Sequence, residues 1–420
     1  MSSNISKLGH KSSNVILERA KDRNSLLIGI TIKAGSRNDP SDKNGLFHLM
    51  EHLAFKGSEK FSSKEIAIKI DQLAGSLEAF TTRDCSSFRA MVLEDQLEMA
   101  FDLLSQIVFK ANYFESDIAT EKEVVLEEIK MCADSPEDLL YDYIYATLWP
   151  DGSFGKSITG TEQSLSAIKR EDLIASRAQY YGKENIIITA IGDFLDNRLE
   201  DLADNLLSSL PFHAKTSDHQ INKPESIEPV VINKNLEQVH VAFAMYGLKA
   251  GDNRNYSLNI LNNILGGGLA SRLFRKIREE LALSYSIASM TESYSDCGLF
   301  VIYAAVAPQK LDRLINELYN QLSIFTELGP TEEEIDRAVK IEKDAIRIGE
   351  DFIEYRMESL INNKFYLDKI VSYEEELAQY DKVSTDSVTE LAKEILDLNK
   401  LRAVILGPVT EKEIVKLIKS

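Results

Sequence analysis

Cysteine is scarce in this chain: Cys85, Cys132 and Cys297 are the three among 420 residues. They are odd in number and form no CxxC pair, which excludes a disulfide framework or a thiolate metal cluster and suits a reducing compartment. Basic residues are also in short supply, 48 Lys and Arg against 67 Asp and Glu, for a net charge of −19. That balance repels polyphosphate and anionic headgroups, so nucleic acid and a membrane surface are excluded as main partners and a basic peptide is favoured. Long apolar runs are missing too. The longest, around Gly298 to Ala307, falls short of the roughly 18 residues that cross a bilayer, and the N-terminus MSSNISKLGH lacks a signal-peptide core. A cytoplasmic protein is expected. With 9 prolines, 44% hydrophobic and 27% charged residues, the chain is neither disordered nor collagen-like.

What is present is a pattern given twice. The alternating, β-branched run Asn24 to Gly35 reads as a strand, and helical patterning follows from Gly45. Helical Lys64 to Leu73, strand-like Leu77 to Val92 and helical Asp95 to Lys110 come next. A similar order returns as strand Val239 to Met245, helical Tyr256 to Leu265 and Ala270 to Leu281, strands from Tyr285 to Val306, and helical Leu311 to Phe325. LEMAFDLLSQIVF from Leu97 matches LDRLINELYNQLSIF from Leu311, about half a chain away, which indicates a duplication rather than a short-period solenoid. The polar stretch Phe212 to Pro229 separates the copies. The expected organisation is α+β, with homologous domains 1–212 and 230–420 joined by a linker 213–229, each an antiparallel sheet flanked by helices.

Histidine is rare as well, yet two of the six sit in GLFHLMEHLAFKG as His48 and His52, with Glu51 between them. On a helix, positions i and i+4 project from one face, so both imidazoles can reach one metal ion with Glu51 beside them. Random placement would yield this H-x-x-E-H pattern only about 0.01 times in a chain of this composition. A catalytic zinc takes three protein ligands and a water, so one ligand remains to be found. The segment TEKEVVLEEIKMCADSPEDLLYDYI from Thr120 offers carboxylates on a helical pattern, with Glu121 and Glu128 two turns apart on one stripe. Gly266-Gly267-Gly268 lacks the Lys-Ser/Thr of a phosphate loop and reads as a turn.

HLMEHLAFKGS, EKEVVLEEIKM and SRLFRKIREELALSYSI together resemble the inverzincin zinc metallopeptidases related to pitrilysin and the mitochondrial processing peptidase. Among these, the bacterial single-chain members of about this length are most similar. The resemblance implies one zinc ion per chain, held by His48, His52 and Glu128. It further implies Glu51 as general base, Glu121 in an auxiliary role, and Arg278 and Tyr285 of the second half as partners of the developing oxyanion. The family's edge strand maps to SLEAFTTRD, where Ala79 and Phe80 would line an extended substrate added as a strand. Glu78 stands where family members often carry asparagine. Asp138 and Asp142, four apart and expected on the same long helical element as Glu128, map to acidic positions that receive a substrate arginine near the cleaved bond. The implied protein is an endopeptidase of extended, basic, presequence-like peptides, working as a homodimer around a closed chamber. The rival implied by relatives in respiratory complexes is a noncatalytic scaffold subunit.

Overall fold

The computed structural model describes residues 14–20, 23–73, 75–194, 198–212 and 228–418, so most of the expected linker lies outside the described residues. The chain forms two compact units, each with a five-stranded sheet. The first sheet comprises β1 (Val15–Arg19), β2 (Ser25–Ile32), β3 (Ser76–Thr81), β4 (Ser86–Leu93) and β5 (Ile186–Gly192), in the order β1-β5-β2-β4-β3. The second comprises β6 (Val230–Asn233), β7 (Val239–Tyr246), β8 (Ser284–Ser293), β9 (Gly298–Val306) and β10 (Arg402–Gly407), in the order β6-β10-β7-β9-β8. Strand for strand the two topologies coincide, which is the duplication in three dimensions.

Both sheets are mixed rather than antiparallel throughout. Four strands of each alternate in direction, but β1 runs parallel to β5 and β6 parallel to β10. The short fifth strands join neighbours far away in sequence, so no local pattern betrays their direction. The expected single strand Leu77 to Val92 is likewise a hairpin. Thr82 to Cys85 form its turn, where the Thr82 N–H donates to the Cys85 carbonyl (2.8 Å). Cys85 therefore sits in a turn and not in a strand, and burial pushes its thiol up to about 11, far from nucleophile chemistry.

The units are not contiguous in sequence. The first takes up residues 349–370, and the second takes up 132–151. Helix Ile353–Asn362 packs Met357, Leu360 and Ile361 on Leu27 of β2 and Ile191 of β5. Helix Pro136–Leu148 packs on β7 and β10, the equivalent strands of the second sheet. The central strands are thus covered on both faces, which is why β2 and β5 read as nearly unbroken apolar runs. A single division at the linker does not capture this reciprocal exchange. Among the described residues no helix is long and apolar enough to cross a membrane.

Helix Leu46–Ala54 lies against the other face of the first sheet through Phe47, Leu49, Met50 and Leu53, all buried. Its N-cap, Gly45, has φ 91°, and a Cβ there would stand 2.5 Å from the Thr159 carbonyl oxygen, so only glycine fits. Gly45 has no side chain to cap the helix. Buried Asp39 does so from outside, accepting from the Gly45 and Phe47 N–H groups at 2.8 and 3.0 Å.

Candidate metal centre

The HLMEH segment forms the expected helix, and its spacing places both imidazoles on one face, their ring centroids 4.7 Å apart. The TEKEVVLEEIKM segment lies in helix Glu115–Asp134, which buries Ile118 and Val125 and presents Glu121 and Glu128 on one stripe. One ligand atom from each of His48, His52 and Glu128 lies within 4.8 Å of the others. The Nε2 atoms of His48 and His52 stand 3.6 and 3.5 Å from Glu128 Oε2.

Those separations are too long for hydrogen bonds. They match the edges of a tetrahedron about zinc, about 3.3–3.6 Å for ligand bonds of about 2.0–2.2 Å. Protonation states agree with ligation for His48 and Glu128, while the raised His52 would have to give up a proton to ligate. Burial pushes His48 down to about 4, which leaves its imidazole neutral, and the His52 ring beside Glu128 holds that carboxyl below its usual range. A neutral imidazole and a carboxylate are the ligand forms. The Glu128 carboxylate in turn raises His52, so two neighbouring imidazoles respond oppositely to burial and charge. His₂Glu is a donor set of catalytic zinc, with a position left for water, and the residues fit the ion.

Around this set lie three groups. Glu51 points toward β3, where Thr81 Oγ1 donates to its Oε2 at 2.6 Å, and burial raises its carboxyl pKa. Glu121, 3% exposed, faces His52 Nδ1 at 3.3 Å and Lys56 Nζ at 2.7 Å. A carboxylate on the outer nitrogen of a ligating histidine is the usual way to fix its tautomer. Lys56 and Thr81 escaped the sequence reading. Lys56 continues the i, i+4 ladder His48–His52, and that periodicity could have found it. Thr81 had no such signal, because its partner lies 30 residues away.

β3 is an edge strand. Ala79 lies against the core, while Phe80, on the opposite face, lies 4.7 Å under the Arg89 guanidinium. Its counterpart β8 is also an edge, but there the Ser289 N–H already donates to the Gly266 carbonyl (3.1 Å). That contact also explains Gly266, where a Cβ would stand 2.6 Å from Ser289 N. No such backbone bond closes β3 among the described residues.

Arg278 and Tyr285 belong to the second unit and touch each other, the guanidinium lying 4.1 Å over the Tyr285 ring and 4.6 Å over Phe274. Arg278 sits on a π-helical segment, Phe274–Glu280, a wound form often found at functional sites. Tyr285 falls at a register shift between β8 and β9, and it is 75% exposed. Asp138 and Asp142 are not on the helix that carries Glu128. Ser135 and Pro136 end one helix and start the next, and that next helix belongs to the second unit. The Ser135 hydroxyl caps the new helix, and proline at its first position cannot continue the old one.

Among the described residues, the second unit repeats the fold without a second such cluster. Helix Asn255–Leu265 follows β7 as Leu46–Ala54 follows β2, but it carries Asn259, Asn262 and Asn263 and no histidine.

Comparison with known proteins accords with these features. The profile of the family described as "Insulinase (Peptidase family M16)" matches residues 14–162, and that described as "Peptidase M16 inactive domain" matches residues 167–342. The chain is 30% identical over 392 residues to an uncharacterized zinc protease of Bacillus subtilis, YmxG, covering 93% of this chain and 95% of that one. It is also 30% identical over 406 residues to an uncharacterized zinc protease of Rickettsia felis, covering 96% and 97%. In fold it is similar to a protease from Helicobacter pylori, with TM-score 0.87, 20% identity and coverage of 95% and 98%. A structure from Pseudomonas fluorescens titled as a peptidase M16 inactive domain gives the same score and identity, covering 96% and 98%.

Proposed function

Because this chain belongs to the insulinase family, peptidase family M16, we propose that it is a zinc-dependent endopeptidase of extended, basic peptides. The convergence of His48, His52 and Glu128 beside Glu51 carries this reading. Zinc, when bound, supplies Lewis acidity that polarises the substrate carbonyl and makes water a nucleophile at neutral pH.

Glu51 accepts the proton of the attacking water through the oxygen not engaged by Thr81, then returns it to the leaving amine. The open edge of β3 takes the peptide as an added strand, with Ala79 and Phe80 along it. Arg278 and Tyr285 supply a permanent charge and a neutral donor to the oxyanion. A homodimer completes the enclosing chamber. The purified chain with equimolar zinc should therefore cleave a quenched basic peptide. Zinc uptake without cleavage would favour the scaffold reading.

Four variants probe the parts. Tyr285→Phe and Arg278→Ala should each lower kcat, by about 10–10³-fold for loss of an oxyanion donor, with zinc content unchanged. Parent rates in both would remove the second unit from the chemistry. Thr81→Val removes a hydrogen bond that favours the ionised Glu51. Its carboxyl pKa should rise, and the acid limb of the kcat/KM profile should move up by roughly one pH unit. A limb that stays in place would sever Thr81 from the base. Asp138→Asn/Asp142→Asn should lessen the discrimination between peptides differing by Arg→Ala beside the cleaved bond, since carboxylates bind guanidinium with charge-assisted bonds. Equal discrimination in parent and variant would place the arginine pocket elsewhere.

A further inference from the structure

We propose that Lys56 is a positioning residue for the metal centre: paired with Glu121, it aims that carboxylate at His52 Nδ1 and so sets the ring that presents Nε2 to the metal. The inference rests on the zinc reading above and adds a residue to it. Three observations carry it. Lys56 lies one turn beyond His52, just past the end of helix Leu46–Ala54, so the motif helix supplies both the ligand and the cation that governs the ligand's partner. The Glu121 side chain is 4% exposed, with one oxygen on Lys56 at 2.7 Å and the other on His52 at 3.3 Å. A carboxylate so buried needs a cation, and its orientation follows from where that cation stands. Lys56 meets the need at a low desolvation cost because its side chain remains 39% exposed.

The arrangement is also asymmetric. Among the described residues the buried His48 Nδ1 has no hydrogen-bond partner, whereas His52 Nδ1 faces the Glu121 carboxylate that Lys56 pairs with. Removal of Lys56 should disturb one imidazole and spare the other. A role confined to general stability would move both or neither.

The test uses the full chain and zinc alone, in competition with a chromogenic chelator. Lys56→Met is expected to weaken zinc binding by about 10-fold, the lower end of the 10–100-fold cost of losing a partner of a metal ligand. Lys56→Arg keeps the charge and should recover most of that loss. Lys60→Met, which removes a lysine paired with exposed Asp102, should leave affinity unchanged. In a Glu121→Gln background, Lys56→Met should add almost nothing, since both act through one carboxylate. In the metal-free protein, the His52 ring nitrogen signals should shift in Lys56→Met while those of His48 stay. Parent affinity with an unmoved His52 signal would overturn the proposal, as would an undiminished loss in the Glu121→Gln background. If the parent chain takes up no zinc, the metal reading itself falls, and the ring signals still decide whether Lys56 sets His52.

Discussion

A Glu51→Gln enzyme is expected to fold and take up zinc as the parent does, while its turnover falls by about 10²–10⁴-fold, the usual worth of a general base. The substitution is close to isosteric. The carbonyl oxygen of the introduced amide can still accept from Thr81 Oγ1, so the bond to β3 survives. None of the three ligand atoms is touched. What disappears is a basic oxygen beside the attacking water, because an amide does not take a proton near neutral pH. Glu51 is largely buried, and desolvation already raises its pKa, which moves a carboxylate toward the range in which a general base works well. The measurement is kcat on a quenched basic peptide for protein of verified zinc content. Near-parent turnover in such a preparation would remove Glu51 from the mechanism.

His52→Ala should eliminate stoichiometric zinc. Two ligands would remain where catalytic sites use three, and the loss should exceed the 10–100-fold cost of removing a ligand's outer partner. The change also strips Glu128 of a neighbour at 3.5 Å and Glu121 of one at 3.3 Å, although Glu121 keeps Lys56. A stability signature follows. A ligand that binds only the folded state stabilises it by about 2.7 kcal/mol at a hundredfold excess over Kd. Zinc should therefore raise the melting temperature of the parent, a chelator should reverse the gain, and His52→Ala should respond to neither. Elemental analysis that still finds one zinc in the variant would show that the ligands are assigned wrongly.

The histidine pair of the proposed metal centre was legible because the information is local, whereas Glu128 came only with the family resemblance. A spacing of four, close to the 3.6 residues of one turn, puts His48 and His52 on one face whatever the helix packs against, and a spacing of seven puts Glu121 and Glu128 on one stripe. The duplication was legible for a similar reason, since each copy repeats its own strand and helix periods. Even Asn259, Asn262 and Asn263 in the second copy could be read as the loss of the imidazole pair once the copies were aligned.

Other features depended on groups far apart in the chain meeting in space. The parallel partners β1 and β6, four or five residues long, have too little pattern to show direction, and the buried strands β5 and β10 decide it. Helices Pro136–Leu148 and Ile353–Asn362 each leave the unit of their sequence neighbours, because an amphipathic face records that it must be covered but not by which sheet. The break at Ser135–Pro136 carries a local signal, a hydroxyl cap before proline, yet the expected element ran straight through it. Its consequence for Asp138 and Asp142 emerged only from the unit that their helix joins. The sequence by itself determined that His48 and His52 share one helix face and can reach one ion. Tertiary packing decided which groups meet the side chains of the site, Thr81 at Glu51 and the Lys56–Glu121 pair at His52, since partners 30 to 69 residues apart meet only when sheet and helices close on one core.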